Sequence, residues 1–93
     1  MAFKLGTLAA THRISKKMEE DTAFQRFVLD SLSRYCKGDW GELPDKDRQA
    51  NAAAIANGYR ILGEYASKEL RLKIRIITEA DRTYTTVLFP SKY

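Results

Sequence analysis

Ninety-three residues, 44% hydrophobic and 30% charged, suffice for one modest core over 1–93 and read as an ordinary soluble globular chain, which excludes disorder and a second domain. Sixteen Lys and Arg against twelve Asp and Glu leave +4, which permits nucleic-acid contact without demanding it. No apolar run reaches the roughly 18 to 20 residues of a membrane span, and the start lacks the pattern of a secretory signal. The lone Cys36 and lone His12 leave no internal disulfide and no common Cys/His zinc site, so a reducing cytoplasm fits.

Phe3 to Ala10 alternates apolar with small or polar residues and predicts a short strand, with Phe3, Leu5 and Thr7 facing one way. Thr11 is the expected N-cap of a helix reaching Glu20, with Ile14 and Met18 on its buried stripe. Asp21 or Thr22 opens the next helix, Thr22 and Gln25 having capping-box spacing. Phe24, Phe27, Val28, Leu32 and Tyr35 give that helix one apolar face, and Gly38 closes it. Gly38-Asp39-Trp40-Gly41 starts a loop. Pro44 suits the first turn of an alanine-rich helix over 45–57, which Asn57-Gly58 terminates. Strands follow at 60–66, 70–79 and 83–89, the second alternating Leu70, Leu72, Ile74 and Ile76 with Arg71, Lys73 and Arg75. The expected fold class is α+β: a short N-terminal strand and two or three helices packed on a C-terminal three-stranded antiparallel meander. The N-terminal strand would join the sheet edge in either sense. Phe24, Phe27, Val28, Leu32, Leu72, Ile74, Ile76 and Val87 or Leu88 are the expected core.

Four groups of residues carry possible function. Trp40 beside Asp39 is either an exposed anchor for a partner or a ring folded back onto the core, and a single Trp in a small domain favours the core. In the hairpin Glu79-Ala80-Asp81-Arg82, Arg82 is either a recognition fork or a clamp on Asp39 or Asp47. Asp47 and Asn51 lie one helical turn apart and could hold a ligand, although a hydrogen-bonded bracket onto the neighbouring loop is the better reading. Arg71, Lys73 and Arg75 could follow a phosphate backbone, or be a solvated sheet face paired with Glu64. If the helix crosses the sheet with its N-terminus at 45 over the hairpin tip, Asp39, Asp47, Glu79 and Arg82 gather into one polar patch. His12 has no nucleophile nearby, and Cys36, at the electronegative end of a helix, reads as an inert thiol.

At Gly38-Asp39-Trp40-Gly41 and Ile77-Thr78-Glu79-Ala80-Asp81-Arg82 the chain resembles a family of small bacterial proteins carried on plasmids, phages and other mobile elements. Further matches are Leu5-Gly6, Ala10-Thr11, Asp47 with Asn51, Arg60 to Tyr65, Thr83 to Pro90 and Tyr93. The chain departs from that pattern at Tyr35, where the family has histidine, and at Gly63-Glu64, where it has Ser-Ala. The resemblance implies a mobile-element setting with no established activity, one in which some small proteins inhibit CRISPR or restriction systems.

The expected function is therefore non-enzymatic. There is no nucleophile–base pair, metal cluster or phosphate-binding glycine loop, and no cofactor or metal is called for. The chain is expected to bind and modulate a host protein, a defence nuclease among the candidates, through Asp39, Trp40, Asp47, Asn51, Glu79, Asp81 and Arg82. The alternative is a nucleic-acid-binding accessory using Arg71, Lys73 and Arg75.

Overall fold

The computed structural model describes residues 3–90. Thr11 caps helix α1 (His12–Glu20), its side chain accepting the Ile14 N–H at 3.4 Å. Asp21 serves two helices. Its N–H donates to the Lys17 carbonyl at 2.9 Å, closing α1, and its carboxylate accepts the Phe24 N–H at 3.1 Å, opening α2 (Thr22–Cys36). The cap is therefore Asp21, and the Thr22/Gln25 box is not used. Pro44 lies at the N-cap of α3 (Asp45–Asn57) and not in its first turn, while Asp45 and Asp47 favour the positive end of the helix dipole. Gly58 ends α3 at φ +76°, a conformation glycine adopts without steric cost.

The sheet comprises β1 (Thr7–Ala10), β2 (Ile61–Ser67), β3 (Leu72–Thr78) and β4 (Tyr84–Leu88), ordered β1-β4-β3-β2. The expected antiparallel meander of β2, β3 and β4 is present, but the sheet is four-stranded and mixed, because β1 adds to β4 in parallel. Gly6 makes this possible. At φ +66° it turns the chain into β1, and a Cβ there would collide with the carbonyls of Arg82 and Thr83. Thr7 then donates to the Thr83 carbonyl at 2.9 Å and Thr11 to that of Val87 at 3.1 Å. The same turn breaks the expected alternation. Phe3 and Leu5 pack on the core, whereas Thr7 is exposed.

Helices α1 and α2 cover one face, α1 against β1 and β4 and α2 against β2 and β3, while α3 meets the sheet at β2. The core joins Ile14, Phe24, Val28 and Tyr35 to Ile61, Tyr65, Ile74, Ile76 and Val87. Phe27, Leu32 and Leu72 are only partly buried. Leu88 is buried, but alternation along β4 turns it to the face opposite Val87.

Polar groups cross the inner layer in a chain. Tyr35 Oη lies 2.6 Å from Thr78 Oγ1, which lies 2.7 Å from Thr85 Oγ1, and Thr85 donates to the Leu5 carbonyl at 2.7 Å. The carbonyl sets the direction. Because Thr85 spends its proton there, Thr78 must donate to Thr85 and Tyr35 to Thr78. Burial pushes the Tyr35 phenol up to about 12, so it keeps its proton. Thr85→Val strands both the Thr78 proton and the Leu5 carbonyl, and is expected to cost about 1 to 3 kcal/mol. Tyr35→Phe leaves Thr78 its acceptor and should cost less. Urea unfolding curves check the ranking, and the reverse order would contradict the assigned direction.

Candidate functional site

The residues singled out in the sequence fall into separate groups, and among the described residues no hydrogen bond or ion pair joins the edge loop, 38–44, to the hairpin tip. The first group lies along β2. Trp40 is 8% exposed, its ring edge-on to Tyr35 at 5.5 Å and tilted on Phe3 at 6.1 Å. It is a core ring. Residues 40–42 run beside the strand: Glu64 donates to the Trp40 carbonyl at 3.1 Å and Glu42 to that of Glu64 at 2.7 Å. Gly41 (φ +71°) permits this approach, since a Cβ would strike the Glu64 carbonyl and the Tyr65 ring. Asp39 holds the loop shape by accepting the Gly41 N–H at 3.1 Å and a two-pronged bond from Arg34 at 2.7 and 3.2 Å. Its carboxyl is held below the usual range, chiefly by the Arg34 bond. Arg34 also stacks over the Tyr65 ring at 5.2 Å.

Asp47 and Asn51 form the second group. Asn51 is buried and brackets β2, donating to the Leu62 carbonyl at 2.6 Å and accepting the Leu62 N–H at 3.1 Å. The bracket reading thus holds for Asn51, with β2 as its target in place of the loop. Arg48 makes the expected tie to the loop, donating to the carbonyls of Leu43 at 2.8 Å and Gly41 at 2.6 Å. Asp47 is half-buried at the rim of a hollow of about 210 Å³ that Asn51, Arg60 and Ile77 share.

The hairpin tip is the third group. Asp81 turns onto its own loop, accepting the Thr83 N–H at 3.0 Å and hydroxyl at 2.5 Å. These bonds, the hydroxyl's first, hold its carboxyl below the usual range. Arg82 is a clamp, but its targets are backbone carbonyls and not the expected carboxylates. It donates to Tyr59 at 2.7 Å, Ala54 at 3.0 Å and Glu79 at 3.1 Å. The cation therefore sits at the negative end of α3, and the C-terminus of α3, not its N-terminus, meets the tip. The single patch of Asp39, Asp47, Glu79 and Arg82 does not form.

The basic row is shorter than expected. Arg71 lies in the turn before β3 at φ +55°. Arg75 and Lys73 both reach Glu64, at 3.0 and 3.9 Å, as the paired reading anticipated. Tyr65 and Thr85 are buried on the other face.

What the sequence did not single out is an aromatic pair at one end of the sheet. Tyr59 is 60% exposed and Tyr84 52%. Ile61 pairs with Thr78, Thr78 with Thr85, and Tyr84 with Thr7, so the approach to β2 and the start of β4 flank the same tip. Composition alone hides such a pair; the one cue is that Tyr59 follows the helix-ending Gly58. Among the described residues no group of three or more His, Cys, Asp and Glu could hold a metal ion, and no helix is long and apolar enough to cross a membrane. The chain matches no protein-family model, no curated protein and no solved structure.

Proposed function

We propose that this chain is a non-enzymatic accessory protein of mobile elements that binds and modulates a host protein, with a host defence nuclease of the CRISPR or restriction type as the class of target. The observation that carries the binding reading is the hairpin end. Arg82 locks the tip to α3 while Tyr59 and Tyr84 stay exposed on either side. Tyr and Arg on a rigid frame are the residue types that dominate interface hot spots, because they offer large contact area for little lost side-chain freedom. Glu79 and Asp81 supply a polar rim there. The mobile-element setting rests on the sequence resemblance. Tyr35 and Gly63, two of the positions that depart from that family's pattern, lie against each other: the Tyr35 ring, with that of Tyr65, occupies the space a Gly63 side chain would take.

The nucleic-acid reading is weaker, because Glu64 already pairs with two of the cations it needs. The test is interference by a defence nuclease in cells expressing the chain, together with capture of the target by purified protein. Tyr59→Ala/Tyr84→Ala is expected to abolish both while leaving the melting temperature nearly unchanged, since both rings are exposed. Unaltered inhibition by the double variant, or tight salt-resistant binding of one defined DNA or RNA, would overturn the proposal.

A further inference from the structure

The two edges of the sheet are treated differently. At β2 the backbone of Leu62 is bonded by the Asn51 side chain and that of Glu64 by residues 40–42. At β1 nothing comparable stands among the described residues. β1 ends the strand order, and Thr7 and Thr11 donate inward to β4, so alternation turns the N–H and C=O groups of Leu8 and Ala10 outward. The strand is Thr-Leu-Ala-Ala, without the charge, proline or bulge that usually protects an edge. Leu8 is 54% exposed. Beside it lies a groove of about 300 Å³ lined by Leu8, Ala10, Met18, Val28, Leu32 and Val87.

We infer that this edge takes the same edge of a second copy, joining two sheets by antiparallel pairing of β1. Size complementarity sets the register. Pairing Leu8 with the second copy's Ala10 satisfies all four outward groups of each strand's Leu8 and Ala10 and centres the two-fold axis on Ala9. Each exposed Leu8 then stands opposite a small residue and covers the other copy's groove, so the large-and-small pattern is self-complementary, as a two-fold interface requires. Helix α1 lines this groove with Ser15 and Met18, whereas Arg13, Lys16 and Lys17 line a separate hollow beside Phe89.

Sedimentation velocity from micromolar to millimolar concentration tests the inference. The wild-type chain is expected to show a concentration-dependent monomer–dimer equilibrium. Leu8→Lys should lose the dimer at every concentration with its circular dichroism unchanged. A wild-type chain that stays monomeric throughout, as it would if the edge served only a foreign peptide, overturns the inference, and so does a dimer that survives Leu8→Lys. A second arm reads the register and does not depend on that variant folding. In a Cys36→Ser background, Ala9→Cys places two thiols at a non-hydrogen-bonded pair, where Cα atoms lie roughly 4.5 Å apart, within reach of a disulfide. Mild oxidation is expected to link the folded protein into dimers and to fail after denaturation. Folded protein that stays unlinked overturns the register.

Discussion

Trp40→Ala is expected to destabilise the protein by about 3 to 5 kcal/mol, the range for deleting a large buried aromatic ring. The ring is 8% exposed and packs on Tyr35 and Phe3, so its removal opens a cavity where α2, the N-terminal segment and the edge loop meet. The loop cannot collapse into that space, because the Trp40 carbonyl accepts from Glu64 at 3.1 Å and Asp39 is held by Arg34. Trp40→Phe keeps part of the volume and should cost less than half as much. Chemical denaturation measures both. A variant that unfolds with the wild-type midpoint would mean that the ring stands outside the core. Trp40 is also the sole tryptophan, so its emission should be blue-shifted in the folded protein and move to the red in one step with global unfolding.

The second large effect is expected at Arg82. Replacement by alanine should cost about 2 to 3 kcal/mol, since hydrogen bonds to charged groups contribute roughly 1.5 to 3 kcal/mol each and water recovers part of what is lost at this half-buried site. Lysine should restore little. One ammonium cannot span the Ala54 and Tyr59 carbonyls as the two ends of the guanidinium fork do. Glycine should fall between wild type and alanine, because Arg82 sits at φ +61° and glycine removes that strain as well as the clamp. Wild-type stability in all three variants would remove the clamp.

These residues show how much was legible. Local signals carried the helix limits: Thr11 and Gly58 end their elements as their chemistry dictates, and Arg75 against Glu64 follows from strand alternation. The edge strand within 3–10 was legible but its parallel sense was not, because that pairing depends on Gly6 slipping beneath the carbonyls of Arg82 and Thr83. The targets of Arg82 were legible in principle. A link of a few residues between Asn57 and Ile61 brings the end of α3 to the start of β2, and in a meander that start lies beside the β3–β4 turn. The C-terminus of α3 must therefore meet the hairpin. Arg34 and Arg48 gave no signal, since their anchors are a loop carboxylate and loop carbonyls whose positions only the tertiary fold sets.

The seal over β2 has a consequence that belongs to polymer chemistry. A monomer with two reactive ends propagates, and one with a single reactive end terminates at the pair. Asn51 and residues 40–42 bond the outward groups of Leu62 and Glu64, which makes the sheet monofunctional: joining through β1 exhausts its capacity to grow. The amide of Asn51 and the loop at 40–42 are thus chain stoppers as well as fasteners, and only a chain without both would gain a second reactive end.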